Sequence, residues 1–276
     1  MSTPFTMGPA ILFCPADRPE RFAKAAERAD AVILDLEDAV GEANKAAARE
    51  AVIASSLDPE RTILRINSTR SEHFEADLET LARSGYSTVM VPKVMTPEEL
   101  ALLAPYRVVA LIESARGLLA APEIAALPHV VGLFWGAEDL TVSLGGTSSR
   151  GPDGRYRDVI RVARSNILLA ARANGKAAID AINVDFTKLD SLAAEAADAA
   201  ASGFSATACI HPAQAETIRA AYRPSEEQLD WAQRVVDGAA ATQGAFSVDG
   251  AMIDEPVIRH AEALLRRAGT DERSAS

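Results

Sequence analysis

The sequence predicts an α/β fold, a (β/α)8 TIM barrel with a C-terminal extension made of helices and an arm. Eight short apolar runs, rich in β-branched residues, each precede a stretch rich in Ala, Glu and Arg. Such runs are typical of parallel strands buried on both faces. Strict strand–helix alternation has two main solutions, an open doubly wound sheet and a closed barrel. Eight units in about 220 residues favour the barrel, and no GxGxxG motif follows a strand to indicate a dinucleotide-binding sheet.

The predicted elements follow one another without a linker or an internal repeat. The strands are AILFC, AVILDLED, TILRIN, STVMVPK, RVVALIES, VVGLFWGAED, KAAIDAI and ATACIHP. The helices behind the first five are PADRPERFAKAAERA, a stretch through about Ala54, SEHFEADLETLARSG, TPEELALLAP and ARGLLAAPEIAAL. A Gly/Ser loop and a helix near Asp158 to Ala173 follow the sixth, and helices through Ala201 and at AQAETIRAAY follow the last two.

The C-terminal segment departs from this alternation. We expect residues 1–223 to form the barrel that carries the active site, and residues 224–276 to form an extension of the same domain. The sequence of this extension predicts a helix at PSEEQLDWAQRVVDGA, an exposed strand-and-turn arm at GAFSVDGAMIDEP, and a helix from Val257 to about Ala268. Apolar residues in the arm suggest that it packs on a neighbouring subunit.

Composition narrows the functional classes. Lys and Arg number 28 and Asp and Glu 39, so the formal charge is 28 − 39 = −11, which argues against sequence-independent nucleic-acid binding. Cys14 and Cys209 lie far apart without a CxxC motif, so we expect two buried thiols and neither a disulfide scaffold nor a zinc site. The first residues lack a basic, apolar leader, and no apolar run approaches the ~20 residues of a membrane span. We therefore expect a soluble, cytoplasmic protein.

Polar side chains stand at the ends of most predicted strands. In a barrel of this kind the active site lies at the C-terminal ends of the strands, and outward-facing positions explain so many polar residues poorly. The candidates are Asp17, Arg18, Asp35, Glu37, Asp38, Arg65, Asn67, Lys93, Glu113, Glu138, Asp139, Asp180 and His211.

Several candidates also have a purely structural interpretation. Asp17, before Arg-Pro, could cap a helix, and the acidic residues of LDLED could start a helix and form an ion pair. Lys93 could be a solvated loop charge, Asp180 could orient other residues, and His211 could be a satisfied loop histidine. The remaining histidines have helical or loop contexts and are interpreted as structural or solvated: His73, His129 and His260.

Glu113 and Asp139 form the strongest chemical candidate. They follow neighbouring strands, so both side chains could point into the same barrel mouth. Two adjacent buried carboxylates repel each other unless one is protonated or a cation lies between them. No His or Cys accompanies them, so a hard ion with oxygen ligands fits, and Mg²⁺ is usually held by one or two carboxylates with water and substrate oxygens.

Two further features suit an anionic substrate, and a Gly/Ser-rich segment has another interpretation. Arg65 offers a planar, permanently charged guanidinium for a carboxylate or an enolate oxygen. The backbone N–H groups of GAEDL lie at a predicted turn and could hold a carboxylate. The LGGTSSRGPDG segment is interpreted as a mobile loop over the mouth, because it lacks the spacing of a phosphate-binding loop.

The motifs taken together resemble a known family. LFCPADRPERFAKA, ADAVILDLEDAV, RIN, VPK, IESARG, WGAEDL, CIHP and GAMIDEP, from about Leu12 to Ala268, resemble the citrate lyase β-subunit-like proteins. These belong to the wider malyl-CoA and citramalyl-CoA lyase group, a 2-oxo acid aldolase family. The resemblance implies a barrel and a Mg²⁺-dependent reaction that makes or breaks a carbon–carbon bond next to a CoA thioester. It also implies a homotrimer, with the arm over a neighbour's barrel mouth.

The resemblance also assigns roles residue by residue. It implies that Glu113 and Asp139 bind the metal, and that Arg65 binds the 2-oxo acid and stabilises the enolate. It further implies an acid/base carboxylate at Asp254, as in members that act as malate synthases. The backbone amides implied to hold the substrate carboxylate are those of Gly136, Ala137 and Glu138. The residues implied to contact the acyl-CoA are Phe13, Arg18, Lys24, Ile210 and His211.

The chain departs from the family pattern at Ala16, where the family often has Gly. Citrate lyase β-subunits also work with an acyl-carrier subunit, of which the sequence shows no sign. Two alternatives therefore stay open: an aldolase acting on free 2-oxo sugar acids, and a non-catalytic subunit that binds CoA or an acyl carrier. The intact acidic pair, Arg65 and Asp254 argue against the second alternative, because a scaffold needs none of them.

Overall fold

A computed structural model describes residues 5–242 and 244–274 of the chain. The chain divides into two compact units, Met1–Ile218 and Arg219–Ser276. The first unit contains the sheet and the predicted site residues except Asp254, and the second contains the arm.

Eight parallel strands close into a barrel in the first unit, which confirms the predicted fold class. Each strand pairs with the next along the chain, and β1 pairs with β8 through Ala10 and Thr207. The strands are β1 Ala10–Pro15, β2 Ala31–Asp35, β3 Thr62–Arg65, β4 Thr88–Val91, β5 Arg107–Ile112, β6 Val130–Trp135, β7 Ala177–Asp180 and β8 Ala206–Cys209.

Helices follow the strands as expected, with two differences. The barrel helices are α1 Phe22–Arg28, α2 Lys45–Ile53, α3 Phe74–Ser84, α4 Ala115–Ala126, α5 Ala137–Ser143, α6 Asp158–Ala173, α7 Leu189–Ser202 and α8 Pro212–Tyr222. The link between β4 and β5 is a 3₁₀ helix, Pro97–Leu103. The GAED segment, predicted as a strand end and turn, instead opens the short helix α5 directly after Gly136.

The barrel interior is filled by alternate residues of the strands, as the two-residue period of a strand requires. The buried inner cluster is Met7, Ile11, Ala31, Ile33, Ile63, Met90, Val109, Leu111, Val131, Phe134, Ile179, Ala206 and Ala208. Continuing the same alternation toward the C-terminal ends brings Phe13, Asp35, Arg65 and Glu113 to the inner face. The strand period therefore explains why apolar runs end on charged residues.

The second unit has its own small core. It contains helix α9 Glu226–Ala241, the antiparallel strands β9 Phe246–Val248 and β10 Ala251–Ile253, and helix α10 Glu255–Ser274. Helix α9 begins with a capping box between Ser225 and Gln228. Asp249 and Gly250 form the hairpin turn, both with positive φ, as a tight hairpin favours. Helix α10 begins two residues before the predicted Val257.

Two simpler expectations concern membrane spans and thiols. Within the described residues, no helix combines the length and apolarity needed to cross a bilayer. Cys14 and Cys209 are both free and buried, and burial raises the pKa of the Cys14 thiol to about 11. The prediction of two buried thiols is confirmed.

Candidate active site

A cavity of about 330 Å³ opens at the C-terminal ends of the strands. Its lining residues come from several strand ends, which is where this fold places active sites. They are Phe13, Asp35, Asp38, Ala39, Arg65, Leu111, Glu113, Phe134, Trp135, Gly136, Asp139, Ile182 and Ile210. The structure thus brings Arg65, Glu113 and Asp139 to one cavity, together with two of the expected acyl-CoA residues, Phe13 and Ile210.

Glu113 is the first residue after β5 and is only 6% exposed. Its Oε1 accepts a hydrogen bond of 2.8 Å from the backbone N–H of Lys93. Burial, followed by the charges of Asp139 and Glu37, raises the pKa of Glu113 to about 8, while Lys93 and Arg65 oppose this shift. The carboxyl group therefore lacks enough compensating positive charge to ionise freely near neutral pH.

Asp139 lies in the first turn of α5 and not at a strand end as predicted. It is exposed, whereas Glu113 is buried. Gly136 lies between the two carboxylates. A Cβ atom at that position would lie 3.1 Å from Glu113 Oε2 and 3.8 Å from Asp139 Oδ2. A side chain there would occupy the space next to the acidic pair, so a glycine keeps that space open.

The donor set of this pair fits a hard divalent cation. Both groups are carboxylates, and an oxygen of each lies within 4 Å of the position that a Cβ atom of Gly136 would take. Among the described residues no cluster of three or more His, Cys, Asp or Glu could hold a metal by itself. Two carboxylates beside an open cavity match Mg²⁺, which commonly takes one or two protein carboxylates and completes its octahedron with water and substrate oxygens.

Arg65 ends β3 and is held on several sides. Its Nε and Nη2 donate to the two oxygens of Asp35 at 2.7 and 2.6 Å, and its Nη1 lies 2.9 Å from Glu37 Oε2. The guanidinium carbon lies 4.9 Å from the centre of the Phe13 ring. Burial alone would lower the pKa of Arg65, but Asp35 and Glu37 raise it more. Arg65 is therefore a fixed, permanent cation in the cavity wall.

Lys93 is not the solvated loop charge that its position allowed. Its ammonium lies 2.5 Å from Glu37 Oε1 and 3.4 Å from Asp38. Burial raises the pKa of Glu37, and the nearby Arg65 and Lys93 oppose that shift. The acidic residues of LDLED therefore form ion pairs around Arg65 and Lys93, as one of the two interpretations proposed.

A buried polar network beneath these pairs was missed from the sequence. Lys45 donates to the carbonyls of Leu36 and Glu37 at 2.7 and 2.8 Å and to Asn67 Oδ1 at 2.8 Å. Asp77 Oδ2 accepts from the backbone and side-chain nitrogens of Asn67 at 2.7 Å each. The sequence signal for this network is one charged residue on the strand-facing side of each helix, Lys45 in α2 and Asp77 in α3. Both helices contain other charged residues, so this signal could not be distinguished in the sequence.

The residues expected to contact acyl-CoA divide into two groups. Phe13 and Ile210 line the cavity, whereas Arg18 and Lys24 are exposed. Asp17 does not cap a helix: Arg18 occupies the N-cap position of the short 3₁₀ helix Pro19–Arg21 without a side-chain cap, and Asp17 accepts from Asn44 at 2.8 Å. The predicted cap at Asp17 is therefore wrong, whereas Pro19 does lie in the first turn of that helix.

His211 has the satisfied environment of a loop histidine. Its Nδ1 accepts a hydrogen bond of 3.2 Å from the Ala213 N–H, and its ring stacks on Phe186 at 5.2 Å. The backbone N–H groups of Ile210 and His211 both donate to Gln214 Oε1, at 3.0 and 3.1 Å. These contacts fix the CIHP turn and leave Ile210 at the cavity.

The GAEDL amides lie at the start of α5. The Gly136 N–H donates to the Ile112 carbonyl at 3.3 Å, a long bond between the ends of two strands. Ala137 and Glu138 are the first two residues of α5, and N–H groups at such positions have no partner inside the helix. The Glu138 side chain accepts from Ser149 at 2.6 Å, which ties α5 to the loop that follows.

Asp180 orients other residues, as one interpretation proposed. It accepts from Trp135 Nε1 at 2.8 Å and from Arg164 Nη2 at 2.8 Å. In the loop between α5 and α6, Arg150 lies 3.9 Å from the ring centre of Tyr156 and donates to the Gly154 carbonyl at 2.9 Å. Movement of the LGGTSSRGPDG loop stays a prediction.

The three other histidines have contacts of their own. His73 contacts Glu42 at 3.0 Å, His129 contacts the Leu100 carbonyl at 3.2 Å, and His260 packs on Trp231, all structural environments. Asp254 is half-buried in the second unit, between β10 and α10.

Fold and site together define a parallel barrel protein with an acidic, oxygen-only cluster and a fixed arginine at its mouth. A family model described as HpcH/HpaI aldolase/citrate lyase matches residues 10–107 and 102–212. A citrate lyase subunit beta-like protein of Mycobacterium tuberculosis is 56% identical over 262 residues, covering 95% of this chain and 96% of the relative. The mitochondrial citramalyl-CoA lyase of Rattus norvegicus is 32% identical over 293 residues, covering 94% and 85%.

A solved structure agrees with these sequence matches. The crystal structure of protein CitE from Mycobacterium tuberculosis in complex with magnesium, acetoacetate and coenzyme A superposes with a TM-score of 0.91. It is 56% identical, and the match covers 95% of this chain and 98% of that one. The chain belongs to the HpcH/HpaI aldolase/citrate lyase family, which confirms the resemblance drawn from the motifs.

Proposed function

We propose that this protein is a Mg²⁺-dependent carbon–carbon lyase that acts on a CoA thioester and releases, or in reverse condenses with, a small 2-oxo acid. The observation that carries the proposal is the Glu113 and Asp139 pair beside Arg65 in one cavity. The family supports a lyase, and a relative of 56% identity has been crystallised with magnesium, acetoacetate and coenzyme A. Candidate 2-oxo acids are oxaloacetate, pyruvate and glyoxylate.

Glu113 and Asp139 would hold the metal. A bound Mg²⁺ would polarise the 2-oxo group and neutralise the two carboxylates. The raised pKa of Glu113 supports this role, because a cation beside a buried carboxyl group removes the reason for it to stay protonated. The Lys93 amide would keep the Glu113 carboxylate in place.

The proposed cleavage is a retro-aldol type reaction. A base takes the proton of the 3-hydroxyl group of the acyl-CoA, and the bond between the hydroxyl-bearing carbon and the CH₂ group breaks. The electron pair becomes the enolate of acetyl-CoA, and protonation of its carbon gives the methyl group. Arg65, already fixed by Asp35 and Glu37, would stabilise the developing negative charge without reorganising.

The other site residues would bind and orient the substrate. The amides of Gly136, Ala137 and Glu138 would hold the carboxylate of the 2-oxo acid. The side chains proposed to contact the acyl-CoA are Phe13, Arg18, Lys24, Ile210 and His211. The exposure of Arg18 and Lys24 is compatible with binding the anionic phosphates of CoA at the surface.

Turnover of defined thioesters tests this function. Citramalyl-CoA and malyl-CoA should be cleaved with release of pyruvate or glyoxylate, and EDTA should abolish the activity. Acetyl-CoA with glyoxylate, followed by detection of free CoA, tests malate synthase-type activity. An aldolase would instead cleave free 2-oxo sugar acids. A non-catalytic subunit would be stabilised by CoA in a thermal-shift assay yet turn over none of these compounds.

We also propose that Asp254 acts as the general acid/base in the site of a neighbouring copy, within a homotrimer. Met252, in the hairpin strand β10 that directly precedes Asp254, is 70% exposed, which suits an arm that packs on another chain. Mixed oligomers of the inactive variants Asp254→Asn and Arg65→Ala should regain activity, because one subunit supplies Arg65 and another supplies Asp254. Verified mixed oligomers without recovered activity, from folded parents, would contradict a shared site.

A further inference from the structure

Lys93 has an unusual backbone conformation next to the proposed metal site. Its φ is 58°, and among the described non-glycine residues it shares a positive φ only with Asp249. Asp249 lies in a tight hairpin turn, where this conformation is ordinary. Lys93 instead follows strand β4 and Pro92, and a left-handed conformation is costly for a residue with a Cβ atom. Such conformations persist where the surrounding structure over-determines them.

Hydrogen bonds hold the Lys93 backbone on both sides. Its N–H donates to Glu113 Oε1 at 2.8 Å, and its carbonyl accepts from Arg70 Nη2 at 2.9 Å. The next N–H, that of Val94, donates to the Leu111 carbonyl at 3.3 Å. The left-handed turn therefore directs one backbone N–H at Glu113.

The side chain of Lys93 makes a second connection. Its ammonium lies 2.5 Å from Glu37 Oε1, and Glu37 Oε2 lies 2.9 Å from Arg65 Nη1. One residue thus contacts the metal-site carboxylate through its backbone and reaches Arg65 through Glu37.

We propose that Lys93 is a positioning residue with two separable functions. Its left-handed backbone fixes Glu113 for metal binding, and its ammonium fixes Glu37 and through it Arg65. This inference rests on the proposed function, since it takes Glu113 as a metal ligand and Arg65 as the group that stabilises the enolate.

A series of substitutions at one position isolates the backbone function. Lys93→Gly and Lys93→Asn suit a left-handed residue, whereas Lys93→Ala and especially Lys93→Val oppose it. All four variants lack the ammonium group, so the comparison among them tests their preference for the left-handed backbone conformation. Calorimetric titration of the full chain with Mg²⁺ should give Lys93→Gly and Lys93→Asn similar affinities, within about threefold of each other. Lys93→Val should bind Mg²⁺ about tenfold more weakly, which corresponds to about 1.4 kcal/mol, and Lys93→Ala should lie between.

The outcomes of this titration distinguish a failure of the Lys93 proposal from a failure of the proposed function. Equal Mg²⁺ affinity in Lys93→Val and Lys93→Asn, with both folded by circular dichroism, would overturn the backbone function of Lys93. If Lys93→Val does not fold, the comparison of Lys93→Ala with Lys93→Gly decides the same point. A wild-type chain that binds no Mg²⁺ would instead contradict the proposed function itself. The titration needs no turnover, so it does not depend on the choice of substrate.

Lys93→Arg and Lys93→Met isolate the ammonium function. Both side chains are unbranched at Cβ and share the backbone cost, so their Mg²⁺ affinities should agree within about threefold. With citramalyl-CoA at saturating Mg²⁺, kcat should fall about tenfold in Lys93→Met and stay within about threefold of wild type in Lys93→Arg. Equal kcat in Lys93→Met and wild type, or a difference between the two variants in Mg²⁺ affinity alone, would overturn this half of the proposal.

Discussion

Two buried Asp–Arg pairs at strand ends of the same barrel have different surroundings. Asp35 ends β2 and binds the guanidinium of Arg65 through two hydrogen bonds, at 2.7 and 2.6 Å. Asp180 ends β7 and binds that of Arg164 through contacts of 2.8 to 3.1 Å. The Asp180 pair is closed by Trp135, which donates to Asp180, and by Asp198, which accepts from Arg164. Hydrogen bonds thus satisfy the second pair.

The Asp35 pair lies instead among unbalanced charge. Arg65 and Lys93 are surrounded by carboxylates that outnumber them: Asp35, Glu37, Asp38, Glu113 and Asp139. Burial raises the pKa of Glu113, and the charges of Asp139 and Glu37 raise it further, whereas an additional cation would lower it. A buried Asp–Arg pair therefore does not by itself identify a functional site. The functional site is distinguished by neighbouring carboxylates whose negative charge the protein leaves uncompensated.

Removing one metal-site carboxylate should have the largest effect. We expect Glu113→Ala or Asp139→Ala to abolish measurable Mg²⁺ binding and to lower kcat/KM on the order of a thousandfold, because a metal supplies several kcal/mol of charge stabilisation. Calorimetric Mg²⁺ titration and turnover of citramalyl-CoA measure both effects.

Asp180→Asn is the matched control from the other pair. It should retain Mg²⁺ affinity within about threefold while unfolding more easily by about 3 kcal/mol, since it disrupts a buried ion pair. Wild-type Mg²⁺ affinity in both alanine variants would place the ion elsewhere. Loss of Mg²⁺ binding in Asp180→Asn would remove the distinction between the two regions.

Replacing the arginine of each pair by lysine tests whether the two pairs have different roles. We expect Arg65→Lys to lower kcat/KM on the order of a hundredfold, because lysine keeps the charge but loses the planar, bidentate geometry. Arg164→Lys makes the same chemical change in the closed pair. It should cost about 1–3 kcal/mol of stability and leave kcat/KM within a few-fold. Steady-state kinetics and urea unfolding of both variants measure the split. Near wild-type kinetics in Arg65→Lys would exclude its catalytic role.

The fold was predictable because its signal is repeated. Each βα unit shows a short apolar run followed by a helix-forming stretch, and the presence of eight such units favours the closed barrel. Strand-end polarity similarly predicted that Arg65 and Glu113 share a mouth, since strand alternation aligns their side chains. Asp139 lines the same cavity from the first turn of helix α5 and not from a strand end.

Contacts between distant charges were not predictable. Lys45, Asn67 and Asp77 meet through the packing of α2 and α3 on the barrel, and no local pattern records which helix face they occupy. The left-handed conformation of Lys93 is equally hidden, because lysine has no sequence preference for it. The sequence indicates which residues end the strands, whereas tertiary packing decides which charges remain uncompensated.

The smallest expected effect is a pH dependence of stability in metal-free protein. The pKa of Glu113 is raised from its ordinary value of 4.5 to about 8, mainly by burial. Below pH 4.5 the carboxyl group is protonated in both folded and unfolded chains. Between these values the unfolded chain releases the proton and the folded chain keeps it, so the free energy of unfolding falls as pH rises. The fall from this group is at most about 1.4 kcal/mol per pH unit.

Glu113→Gln is the matched variant, because glutamine has nearly the same shape and does not titrate in this range. Urea unfolding in EDTA should show wild type losing about 1 kcal/mol more than Glu113→Gln between pH 6 and pH 7. Excess Mg²⁺ should offset part of that loss in wild type alone, because a ligand that binds the folded state stabilises it. Asp180→Asn, in the closed pair, should leave the slope contributed by Glu113 in place. Parallel pH profiles for wild type and Glu113→Gln would show that Glu113 ionises normally, and the unbalanced charge that distinguishes the two regions would then lie on another carboxylate.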